Sequence, residues 1–84
     1  MRITSTTPVP DLLLAAQMSL RDVEPGEIFT VRDLFLGFEW NRIPMGWRSQ
    51  LGTAFNAYAT GDEGRKLMED KGKNRQHQQQ YLRK

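Results

Sequence analysis

Met45-Gly46-Trp47-Arg48-Ser49-Gln50-Leu51-Gly52-Thr53-Ala54-Phe55-Asn56-Ala57-Tyr58-Ala59-Thr60 carries two faces at once. At helical spacing, Trp47, Leu51, Ala54, Phe55 and Tyr58 fall within one narrow arc, the strongest periodic signal in the chain. The opposite arc holds Met45, Ser49, Gly52, Thr53, Asn56 and Thr60, mostly small and polar, with Arg48 at the margin. Pro44 suits the first turn of such a helix and Gly61 its end. Gly52 costs about 1 kcal/mol relative to alanine inside a helix, so a close approach by a neighbouring helix is expected there.

Upstream, Thr7-Pro8 resembles a helix start, with Thr7 as the cap. Val9, Leu12, Leu13, Ala16, Leu20 and Val23 then recur at spacings of three and four, predicting a helix to about Asp22. Leu14 and Met18 form a flanking apolar stripe, either further core or the seam of a homodimer. Glu24-Pro25-Gly26-Glu27 reads as a turn and Ile28–Val31 as a brief strand. Thr30 with Asp33 matches a capping box, predicting a short helix that turns Leu34, Phe35 and Phe38 inward and ends near Gly37. Residues 38–44 then form a connection. Residues 1–7 are expected as a flexible polar lead ahead of a single domain spanning 8–84.

Downstream, Gly61-Asp62-Glu63-Gly64 reads as a loop. Arg65–Asp70 is expected as a strand, Lys71-Gly72-Lys73-Asn74 as a tight turn and Arg75–Arg83 as the returning strand. Glutamine dominates residues 76–80, so a solvated helix or a tail over 70–84 is the alternative. Helix, strand, short helix, long helix and basic hairpin is the order of a winged helix-turn-helix, an α+β fold, with its wing at 65–84.

The chain of 84 residues carries a net charge of +2, unevenly placed. Residues 1–40 hold three basic and six acidic side chains, and residues 41–84 hold nine and four. A basic second half suits an acidic partner. In a winged helix, Arg48, Ser49, Thr53 and Asn56 would face the groove of double-stranded DNA. Lys71, Lys73 and Arg75 would hold its backbone, with Arg65, Lys66, Arg83 and Lys84 as outlying charge. Trp40 and Trp47 read as core rather than as base-stacking platforms. With no cysteine and His77 as the lone histidine, no metal or other cofactor is expected. The paired acids Asp62-Glu63 and Glu69-Asp70 are adjacent in sequence, a poor arrangement for catalysis, so the expectation is a non-catalytic domain. No apolar run approaches the roughly 20 residues a membrane helix needs, and a cytoplasmic location is expected.

The run Gly26–Phe35, followed by Trp40, Ile43-Pro44, Arg48, Leu51–Phe55 and the closing Gly72-Lys73-Asn74 with Tyr81–Lys84, resembles a family of small bacterial and phage domains of unknown function. The resemblance covers roughly residues 25–84 and implies a winged-helix-like shape. It carries no catalytic motif. It suits a small phage or bacterial DNA-binding regulator, or a protein-binding module of a mobile element that inhibits or bridges a host nucleic-acid machine, such as an anti-defence inhibitor of anti-CRISPR type.

Overall fold

A helix with one apolar face is stable only where that face is covered, and the chain covers it with a small sheet. In a computed structural model, which describes residues 2–84, the order is α1 (Val9–Ser19), β1 (Ile28–Phe29), α2 (Gly37–Arg42), α3 (Met45–Thr60), α4 (Asp62–Leu67), β2 (Met68–Lys73) and β3 (Gln79–Arg83). Single 3-10 turns at Leu20–Asp22 and Val31–Leu34 extend α1 and follow β1. The fold is therefore α+β, with four α-helices and one antiparallel three-stranded sheet ordered β1-β3-β2 among the described residues.

The core forms where α1 and the sheet meet α3. Leu51 and Phe55 of α3 are fully buried, as are Leu12 and Ala16 of α1 and Tyr81 of β3. Phe29, Phe55 and Tyr81 bring three elements into one aromatic cluster, with ring centroids 5.3–6.5 Å apart. The two-faced reading of Met45–Thr60 holds: Trp47, Ala54 and Tyr58 flank the buried arc, while Ser49 and Thr53 are exposed. Leu14 and Met18 are about half exposed, so the flanking stripe of α1 is not core.

Residues 2–7 lead into α1 with Ile3 in the core cluster. Ile3 is only 2% exposed, and its carbonyl accepts from Arg42 Nη1 at 2.9 Å. Thr7 does not cap α1; its hydroxyl accepts the Thr4 N–H instead. Met1 lies outside the described residues.

The second helix also differs. The Asp33 carboxylate accepts the Thr30 N–H at 2.9 Å, as the capping box requires, but it closes only the 3-10 turn Val31–Leu34. A one-sided cap, Glu39 accepting the Leu36 N–H at 3.0 Å, starts α2 at Gly37, where the sequence suggested an end. Leu34 and Phe35 are buried as expected, whereas Phe38 is 56% exposed beneath the Arg42 guanidinium. The strand is shorter than read, confined to Ile28–Phe29.

The third correction is at 61–67, expected as a loop and the start of a strand. Asp62 and Glu63 sit in the first turn of α4 and Arg65 and Lys66 in its last, the arrangement the helix dipole favours. Gly64 is buried against α3: a Cβ there would lie 2.0 Å from the Tyr58 carbonyl oxygen and 2.6 Å from Ala59 Cα. Only glycine lets α4 approach so closely. The hairpin consequently begins at Met68, and its connection is Asn74–Gln78 rather than Lys71–Asn74. Gly72, at φ +79°, forms a bulge in β2, with the register slipping between Asp70 and Gly72 opposite Tyr81 and Gln80.

Candidate functional site

The small polar face of α3 is one wall of a groove of about 820 Å³, and the hairpin is the other. Ser49, Gly52, Thr53 and Asn56 line it from α3, Lys73, Gln79 and Tyr81 from the hairpin strands, and Gln76–Gln78 from the connecting loop. Arg32, Trp40 and Arg48 close one end. The lining includes three arginine or lysine side chains and a histidine but no carboxylate. In a chain with ten acids, that segregation is the groove's main electrostatic property.

The floor is fixed by a hydrogen bond between walls. The Tyr81 hydroxyl donates to Asn56 Oδ1 at 3.0 Å, tying β3 to α3 and leaving the Asn56 amide NH2 without a partner among the described residues. Burial, with a smaller contribution from the Asp70 charge, pushes the Tyr81 pKa up to about 12, so the hydroxyl stays protonated as this donor. Asp70 also accepts from Gln79 Nε2 and from the Gly72 N–H, which braces the bulge.

The loop is built by one asparagine. Asn74 Oδ1 accepts the N–H groups of Gln76 and Gln78 at 2.9 and 3.0 Å, while the Asn74 N–H donates to the Gln78 carbonyl. This closure sets His77 at φ +61°, in the left-handed region that, glycine apart, asparagine, aspartate and histidine adopt more readily than other residues. The glutamine-rich run is therefore neither a helix nor a tail.

Arg48 is committed elsewhere than expected. Its Nε donates to the Ile43 carbonyl at 2.9 Å and Nη2 to the Trp40 carbonyl at 3.1 Å, capping the C-terminal end of α2. Its guanidinium also lies 5.3 Å from the Trp40 ring centroid. Arg48 thus holds the α2–α3 junction together while keeping its charge at the end of the groove. Trp40 lies against Phe35, with ring centroids 5.9 Å apart and planes tilted by 44°, and remains partly exposed.

Of the residues singled out from sequence, Arg48, Ser49, Thr53, Asn56 and Lys73 come together here. Lys71 and Arg75 are exposed on the hairpin but outside the lining. Arg65 and Lys66 do not line the site: both are exposed in the last turn of α4, where Lys66 sits 3.6 Å from Glu63. Arg83 is held at the far end of β3 by the Leu67 and Lys84 carbonyls, and Lys84 Nζ donates to the Arg65 carbonyl. Arg32, His77 and the loop glutamines line the groove without having been flagged by sequence. Gly52 has open space where a Cβ would stand, so the close helix approach expected there is absent.

Among the described residues, no group of three or more potential metal-ligating side chains occurs, and no helix is long and apolar enough to cross a membrane. No curated protein and no solved structure matches the chain. A family model covers residues 15–83, from the middle of α1 to the end of β3, and on that match the chain belongs to DUF1413, a domain of unknown function.

Proposed function

We propose that this domain binds duplex DNA through the groove, as a non-catalytic winged helix-turn-helix. The observation that carries the reading is the groove lining: Arg32, Arg48 and Lys73 beside small hydroxyl and amide side chains, with no carboxylate among them. Phosphates are attracted by such a lining, while Ser49, Thr53 and the Asn56 amide offer donors and acceptors for base edges or sugar-phosphate oxygens. The strand order β1-β3-β2, with α3 beside a basic hairpin, supports the fold assignment. In this arrangement α3 enters the major groove and the Asn74–Gln78 loop follows the backbone. Lys71 and Arg75 add charge outside the contact, and affinity is modest because few cations face the ligand.

Fluorescence anisotropy with a labelled random duplex, titrated with salt, tests this. The expected log–log slope is roughly −2 to −4, one unit per neutralised phosphate. Lys73→Ala and Arg32→Ala should each weaken binding and reduce the slope by about 1. Arg65→Ala/Lys66→Ala should leave both unchanged. Binding that is insensitive to salt contradicts the proposal.

A second reading, a protein-binding module, draws on a different surface. Ile28 and Leu36 are more than half exposed around a cleft of about 440 Å³ that also contains Asp22, Glu27, Asp33 and Glu39. Capture of one protein that survives nuclease treatment and is lost on Ile28→Glu favours this reading over the first.

A further inference from the structure

Along the outer stripe of α1 the exposed residues read Asp11, Leu14, Met18 and Arg21, the last in the 3-10 turn that continues the helix. The stripe is symmetric about Ala16: Leu14 and Met18 lie two residues to either side of it, and Asp11 and Arg21 five. Its two ends carry opposite charge, and its middle carries two large apolar side chains that are 48% and 50% exposed. Neither charge is paired among the described residues, where the ion pair present is Lys66–Glu63.

From this we infer that α1 is a homodimer seam in which the α1 helices of two copies pack antiparallel. In a two-fold interface, residue i of one copy meets residue j of the other, and j meets i in return. Antiparallel packing with its two-fold axis at the level of Ala16, whose own side chain faces the core, sets Asp11 of each copy beside Arg21 of the other and interleaves Leu14 with Met18. Parallel packing would set Asp11 against Asp11 and Arg21 against Arg21. The charge pattern therefore selects both the occupant, a second copy of this chain, and its orientation. Beside the stripe, Tyr58 and Leu67 join Leu14 and Met18 in lining a cleft of about 400 Å³, which Arg21, Glu63 and Arg83 also line. None of the residues lining this cleft lines the DNA groove, so both surfaces can be occupied together.

A contact made mainly by one helix from each copy falls below about 1,200 Å² of buried surface, the range of transient association. A monomer–dimer equilibrium with a dissociation constant of roughly 10 µM to 1 mM is expected. Sedimentation equilibrium of the full chain over that range tests it without any nucleic acid, so its outcome is independent of the DNA proposal. Leu14→Glu and Met18→Glu should leave only monomer, with far-UV circular dichroism confirming that the exposed sites tolerate the change. The decisive experiment mixes two charge variants. Asp11→Arg alone and Arg21→Asp alone each put like charges at both ends of the seam and should be monomeric. Mixed in equal amounts, they make both end pairs attractive and should associate as a heterodimer at least as tightly as the wild type. A wild type that stays monomeric to about 1 mM, or a mixture no more associated than its components, overturns the inference.

Discussion

Gly52 and Gly64 are both helical glycines, yet their surroundings predict opposite responses to the same substitution. At Gly52, in the middle of α3, a Cβ would have nothing within 4 Å. Gly52→Ala should therefore recover the helix-propensity difference of about 1 kcal/mol, raising the melting temperature by roughly 4–8 °C for a domain of this size. At Gly64 the new Cβ would lie 2.0 Å from the Tyr58 carbonyl oxygen and 2.6 Å from Ala59 Cα, both backbone atoms that cannot rotate aside. Overpacking of that kind costs about 3 kcal/mol, against which the gain in helix propensity returns about 1, so Gly64→Ala should lose about 2 kcal/mol. Urea unfolding followed by tryptophan fluorescence reads both, and an unchanged m-value confirms that stability alone has moved. Destabilisation by Gly52→Ala would refute the open space at that point of α3, and neutrality of Gly64→Ala would refute the placement of α4 against α3. Because Gly52 lines the groove, its alanine variant should also bind duplex DNA several-fold more weakly while being the more stable protein.

Three further outcomes are expected. Tyr81 holds its proton to about pH 12 in the fold against 10.0 in the unfolded chain, so its stabilisation is complete below pH 10 and is lost as pH rises from 10 to 12. Denaturation midpoints should show a contribution of roughly 3 kcal/mol disappearing across that window, absent in Tyr81→Phe. Arg48→Ala leaves the Ile43 and Trp40 carbonyls without their donor and should cost about 1–3 kcal/mol by thermal unfolding. Lys73→Ala, exposed and without such bonds, should leave the melting temperature within a degree or two, separating Arg48's structural role from any contact with DNA. His77→Gly relieves a positive φ and should raise stability by up to about 1 kcal/mol, whereas Asn74→Ala, which removes the carbonyl closing the loop, should lower it by a similar amount.

The two-faced helix Met45–Thr60 was legible because sixteen residues sample the helical period more than four times, and both its boundaries carry proline or glycine. The hairpin was legible in outline from its turn residues, but its register was not. Gly61–Gly64 has the composition of a loop, and only the fit of Gly64 beneath the Tyr58–Ala59 backbone turns it into a helix. That shift moved Arg65 and Lys66 out of the site. Gly37 was misread as a terminus because the cap that begins α2 is half invisible: Leu36 has no side-chain oxygen, and only Glu39 contributes a polar group. Arg48 could be placed at the edge of α3 from the helical wheel, but not on the Ile43 and Trp40 carbonyls, whose positions depend on where α2 ends. Arg32 and the Asn74–Gln78 loop reach the groove through tertiary packing, and no local pattern marks them as part of it.

Titration of isotope-labelled protein with a short duplex, following backbone amide resonances, locates the bound nucleic acid most directly. The account predicts the largest shifts at Ser49, Thr53, Lys73 and Gln76–Gln78, with Asp62–Leu67 of α4 and the Leu14–Met18 stripe unmoved by DNA. Shifts centred on α4, or none at low salt, would contradict it.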